Sequence, residues 1–211
     1  MREPRTGSSW VTNALLQKLN KKLFHYEICM TPKLEFNASL PELHDHNKIY
    51  STHLFHVLPK LKDINPYVIR TARRNKMEQC LSMLYWNYFP NSMRHYFIDE
   101  SRNTEMNSFA DSLNNPVVVN KEDLIDLLIS MRKRDELWGA NVEHFTNSDV
   151  IVYEDLFDEV YLSKLDIKLS FSGEISFSHK MPEYKTKAFK NYDQIVEWCD
   201  EMIPKLNFIQ Y

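Results

Sequence analysis

The chain carries the stretch Pro4-Arg5-Thr6-Gly7-Ser8-Ser9-Trp10 directly before the apolar series Val11, Ala14, Leu15, Leu19 and Leu23. That series recurs at helical spacing and predicts a helix whose N-terminus is the Thr6–Ser9 turn. Only Gly7, Gly139 and Gly173 are glycines, so Gly7 inside a polar turn points to a tight bend. A cation, a turn glycine, two hydroxyls and the free N–H groups of a helix N-terminus together make a site for an anion such as phosphate or sulfate. An ordinary capped helix start is the plainer alternative. The GxxxxGK[ST] spacing of a Walker loop is missing, which counts against a P-loop kinase.

A second group of cations, Arg73 and Arg74, stands between a predicted strand, Pro66 to Thr71, and a predicted helix with Met77, Cys80, Leu81, Leu84, Tyr85 and Tyr88 on one stripe. Ser82 follows Arg74 by eight residues, just over two helical turns. The two can serve one ligand only if Arg74 lies in the bend before the helix. The alternative is a solvated basic cluster beside a serine on a helix face. Between the two basic groups lies Ser51-Thr52-His53-Leu54, then Pro59-Lys60. The imidazole of His53, with an ordinary pKa near 6.5, is chemically able to serve as a general base; a buried, hydrogen-bonded histidine is the competing reading. His44, Asp45, His46, His53 and His56 are ligand types for zinc or manganese, but their spacing fits no common zinc pattern and no metal is expected.

The elements that must position these groups alternate between strand and helix. Ile49 to Thr52 and Pro66 to Thr71 read as strands, and the Met77–Tyr88 stripe as a helix. Residues 87–115, rich in Asn, Ser, Arg and aromatics, read as an excursion that could form a substrate wall or lid. Asn120 can cap a helix carrying Leu124, Ile125, Leu127, Leu128 and Met131. Val150 to Val152 then form a buried strand that ends in Tyr153-Glu154-Asp155-Leu156. Ile167, Leu169 and Phe171, then Ile175 and Phe177, suggest a hairpin across Ser172-Gly173. A last helix carries Tyr192, Ile195, Val196 and Cys199. The alternation argues for an α/β fold with a mostly parallel sheet flanked by helices, in a single domain over residues 1–211.

With 43% hydrophobic and 26% charged residues and a net charge of −3, the chain is globular in composition and offers no field for nucleic acid or anionic membrane. Cys29, Cys80 and Cys199 are odd in number and form no CxxC pair, so neither a disulfide framework nor a zinc knuckle is suggested. With no apolar run of about 18 residues and no signal-peptide pattern after Met1-Arg2-Glu3, a cytoplasmic location is expected.

Taken together, these motifs resemble, in type and order, those of sulfotransferases that use 3′-phosphoadenosine 5′-phosphosulfate (PAPS). Residues 4–10 are similar to that family's phosphosulfate loop, Pro-Lys/Arg-Ser/Thr-Gly-Ser/Thr-Ser/Thr-Trp. Arg74-Asn75 with Ser82 is similar to its 3′-phosphate motif, and Ser51-Thr52-His53-Leu54 to its Lys-Thr-His-Leu segment. Tyr153-Glu154-Asp155-Leu156 is similar to a stretch whose tyrosine lies near the adenine. The resemblance implies a three-layer, P-loop-like fold and in-line transfer of a sulfuryl group from PAPS, as co-substrate, to an acceptor hydroxyl or amine, without a metal. It implies donor contacts from Arg5, Thr6, Gly7, Ser8, Ser9, Trp10, Arg74, Ser82 and Tyr153, with His53 as base. Arg5 stands where many relatives have lysine; always charged, it would stabilise the developing negative charge rather than donate a proton.

Ser51 stands where lysine is frequent. Only three residues precede Pro4, so the family's first strand is expected to be short or lost. Lys185, Lys187 and Lys190 before Asn191-Tyr192-Asp193 are similar to a basic segment near the 3′-phosphate, but a solvated face suits them better. The acceptor would be a small molecule, a carbohydrate or a peptide. A non-catalytic nucleotide-binding relative would keep Arg5, Arg74 and Ser82 without depending on His53.

Overall fold

The structure is a computed structural model that describes Val11, the backbone of 22–25 and 48–51, and residues 66–89, 114–157 and 186–211, with 156 and 157 as backbone alone. The chain divides into two compact units. One comprises Met1–Arg74, Arg134–Ile175 and Ile209–Tyr211; the other comprises Asn75–Lys133 and Ser176–Phe208.

In the first unit, strands β1 (Lys22–His25) and β2 (Lys48–Ser51) run parallel, with Leu23 opposite Ile49. Leu23 therefore belongs to a strand and not to the preceding helical stripe. A short apolar run suits either period, and pairing with β2 decides between them. A second parallel pair, β3 (Val68–Ala72) and β4 (Ser148–Val152), aligns Val68 with Ser148 and Ala72 with Val152. Parallel neighbours need a long crossover, and the helices α1 (Lys76–Tyr88) and α2 (Lys121–Val142) lie between β3 and β4 in sequence.

Ile151 and Val152 are buried as expected of a parallel strand, but Val150 is 39% exposed. Val68 packs with Trp138, Val142 and Phe145 in a small core. The Val68 N–H extends the edge by donating to the Asn147 carbonyl at 2.8 Å.

The core of the second unit joins three helices: Cys80, Leu81, Leu84 and Tyr85 of α1, Leu124, Leu128 and Met131 of α2, and Ile195 and Cys199 of α3 (Tyr192–Met202). The stripe predicted for α1 is the one that is buried. Tyr85 is fully enclosed and stacks at a tilt against Phe89, with ring centroids 5.0 Å apart. Cys80 and Cys199 are free thiols within this core. A hydrogen bond with Cys199, reinforced by burial, pushes the Cys80 thiol well above its ordinary pKa.

Two asparagines fix this unit's element ends. Asn75 caps α1, its side-chain oxygen accepting from the Glu78 N–H at 2.9 Å. Asn75→Ala is expected to cost about 1 kcal/mol, read as a lower urea midpoint with an unchanged m-value. Asn191 precedes α3 but makes no side-chain cap. Its amide instead brackets Val119, donating to the carbonyl at 2.9 Å and accepting from the N–H at 3.0 Å. This clip continues the isolated parallel bridge between Val117 and Phe189. The α2 helix begins right after Asn120, as expected, with the Leu124 N–H donating to the Asn120 carbonyl at 3.2 Å.

No helix among the described residues is long and apolar enough to cross a membrane.

Candidate functional site

The register of β3 and β4 determines which groups meet at their carboxyl ends. Ala72 lies opposite Val152, so Arg73 and Arg74 leave one strand beside Tyr153, Glu154 and Asp155 leaving the other. The two motifs are far apart in sequence, and parallel pairing brings them to one edge. Chain direction changes on both sides: Arg74 occupies a bend before Asn75 caps α1, and Tyr153–Phe157 form a short 3-10 helix. Arg74 thus lies in the bend that its anion-binding reading requires.

The contacts at this edge are electrostatic and nearly balanced. The Arg73 guanidinium lies over the Tyr153 ring, 4.7 Å from its centroid, with its Nε 3.6 Å from Glu154 Oε1. The Arg74 backbone N–H donates to Glu154 Oε2 at 2.8 Å. Its side chain donates from Nη2 to both Asp155 carboxylate oxygens at 3.0 Å, and from Nε to the Tyr211 backbone oxygen at 3.0 Å. Among the described residues, Arg73 and Arg74 thus face the carboxylates of Glu154 and Asp155.

One nitrogen shared by two oxygens is a weaker arrangement than the two-nitrogen fork that arginine and carboxylate form at best. The side chains of Arg74 and Asp155 are 46% and 29% exposed, so this pair contributes about 0–1 kcal/mol to stability. Arg74 is held through Nε and Nη2, and its side chain stays 46% exposed. A guanidinium held in this way can receive an anion without ordering a floppy side chain first.

Beneath this edge lies a buried network that sequence reasoning missed. Arg70, in the middle of β3, donates from Nη2 to Asp135 Oδ1 at 2.5 Å and to the Asp135 carbonyl at 3.2 Å. Their side chains are 3% and 2% exposed. Asp135 also accepts from the Tyr211 hydroxyl at 2.7 Å and from the Ile209 N–H at 3.1 Å. The Arg70 guanidinium faces the Tyr211 ring at 5.0 Å. Gly139 makes room for this tail, since a Cβ there would come within 2.9 Å of Ile209 Cδ1. Tyr211 therefore links the buried Arg70–Asp135 pair to Arg74. The signal was present in the sequence: Leu128, Met131, Asp135, Trp138 and Val142 are spaced as one helix face, and a carboxylate on an apolar face calls for a partner.

At the amino end of the same strand pair the Tyr67 hydroxyl donates to Asp149. Burial, and then that carboxylate, push the phenol up to about 12.

Ser82 belongs to the second unit, where it is buried within α1. Of the aromatic residues in this helix, Tyr85 is core, while Tyr88 lines a shallow depression with Leu84, Asn87, Asp123, Asp126 and Leu127. Its hydroxyl donates to Asp123 Oδ2 at 3.2 Å, and burial followed by the Asp123 charge raises the phenol's pKa. Lys187 and Lys190 are exposed, in keeping with a solvated face.

Arg5, Thr6, Gly7, Ser8, Ser9, Trp10, His53 and the other candidate metal ligands, Tyr96 and Phe97, Lys185, residues 90–113 of the predicted excursion and the predicted hairpin lie outside the described residues. No family model, curated protein or solved structure matches the chain.

Proposed function

We propose that this chain is a PAPS-dependent sulfotransferase with a P-loop-like, three-layer α/β fold. Arg5 and the 6–10 loop hold the phosphosulfate, Arg74 and Tyr153 serve the nucleoside and 3′-phosphate end, and His53 deprotonates an acceptor hydroxyl or amine. Ser82 is assigned to the 3′-phosphate by the motif resemblance alone. The sulfur–oxygen bond to the acceptor forms as the bond to the phosphate oxygen breaks, the proton passes to His53, and the bisphosphate leaves with the charge that Arg5 stabilises.

One observation carries this reading. Two motifs, each assigned to donor binding from sequence alone, lie together at the carboxyl edge of a parallel strand pair, the side on which open α/β sheets hold nucleotides. Arg74 there has an anchored, 46% exposed guanidinium, and Tyr153 leaves the neighbouring strand beside it.

The test is a thermal shift with 3′-phosphoadenosine 5′-phosphate, the spent donor. At 100 times its dissociation constant the ligand adds about 2.7 kcal/mol to stability. The shift should be lost in Arg74→Ala and weak with ATP. If the wild-type chain shows no shift with the bisphosphate, the donor reading is wrong.

A further inference from the structure

In this structure the Arg74 side chain already has an anionic partner. Nη2 is shared between the two Asp155 oxygens at 3.0 Å, while Glu154 accepts from the Arg74 backbone and lies 3.6 Å from Arg73 Nε. A nucleotide phosphate arriving at this guanidinium therefore meets a cation whose charge is already offset by the Asp155 carboxylate. The Tyr211 backbone oxygen holds Nε independently of Asp155, so the position of Arg74 does not depend on that carboxylate alone.

We propose that Asp155 is a built-in competitor for the donor's 3′-phosphate, setting how tightly Arg74 binds it and leaving the spent bisphosphate free to depart. The inference rests on the donor reading above and deepens it. An aspartate at this position lowers affinity for the dianionic phosphate by direct repulsion and by occupying the same guanidinium. The bond from Nη2 is the one the phosphate can take over, since it is half-exposed and poorly forked, whereas the Nε bond to the backbone persists. Fast product release is the functional gain, because departure of a tightly held product often limits turnover.

The experiment is a titration of wild-type protein, Asp155→Asn, Glu154→Gln and Glu201→Gln with 3′-phosphoadenosine 5′-phosphate and with adenosine 5′-monophosphate, by calorimetry at several ionic strengths. Asparagine keeps an acceptor for Nη2 and removes only the charge. Asp155→Asn should bind the bisphosphate about three- to tenfold more tightly, the size expected for removing one screened charge near a phosphate. Its affinity should also fall more steeply with salt, because the edge now carries net positive charge. Glu154→Gln should move the same way by less and covers the case in which Asp155→Asn fails to fold. Glu201→Gln, whose carboxylate faces Lys121 and Lys205 on the second unit, should change nothing. The monophosphate, lacking the 3′ group, should bind alike to all four proteins.

If wild type binds the bisphosphate and Asp155→Asn binds it equally or more weakly, the inference is overturned and Asp155 is a positioning residue. If no protein of the set binds the bisphosphate, the donor reading fails and the inference with it.

Discussion

Asp135→Ala lowers the unfolding free energy of this protein by about 3–5 kcal/mol, as removing one member of a buried ion pair does elsewhere. The size follows from what is left behind. Arg70 keeps its charge with its side chain 3% exposed, and Tyr211 Oη–H and the Ile209 N–H lose their acceptor at the same time. The uncompensated Arg70 charge supplies most of that loss, since the two other donors are only part-buried.

Two companions separate charge from shape. Asp135→Asn preserves volume and one acceptor oxygen, so its loss should be smaller. Arg70→Met combined with Asp135→Leu removes both charges and should recover most of the stability, because well-packed apolar residues often match a buried pair. Urea unfolding with m-values reads all three. A loss below about 1 kcal/mol for Asp135→Ala would show that the pair behaves as an exposed one.

On the proposed sulfotransferase reading, His53→Ala should lower turnover by about 10²–10⁴-fold, the usual contribution of general base catalysis, while leaving bisphosphate binding intact. The split between turnover and donor affinity is the informative part. A histidine that only supports packing would take donor binding and thermal stability down together with turnover. A non-catalytic nucleotide-binding protein would show no turnover to lose. The proposed base must be neutral to act, so wild-type kcat/KM should rise with pH as the imidazole loses its proton and then level off. Loss of that rise in the residual activity of His53→Ala would tie it to His53.

The clearest successes of sequence reading are the elements with long, regular periodicity. The stripes Cys80, Leu81, Leu84, Tyr85 and Leu124, Leu128, Met131 turn apolar residues to one helix face, and those faces are buried. The strand before Arg74 and the strand before Tyr153 were likewise legible from their β-branched runs and the polar turns that follow them. Leu23 went astray because four residues cannot distinguish a period of 3.6 from one of 2, and the partner strand Lys48–Ser51 lies elsewhere in the chain. Val150 reads as buried in sequence because it is valine. Its exposure of 39% is set by what the rest of the chain packs against that one position, which no local pattern encodes.

Sequence by itself determined the cations, hydroxyls, histidine and tyrosine whose types and order suggest donor binding and sulfuryl transfer, and the short-range patterns that form the helices and strands carrying Arg74 and Tyr153. Only the tertiary structure decided that those two motifs share one edge, because pairing register between distant strands is fixed by long-range hydrogen bonds and packing. It alone supplied the acidic partners of Arg74 and joined Asp135 to Arg70 and Tyr211. A charged side chain in a sequence declares only that it needs a partner, and folding across the whole chain determines which one it receives.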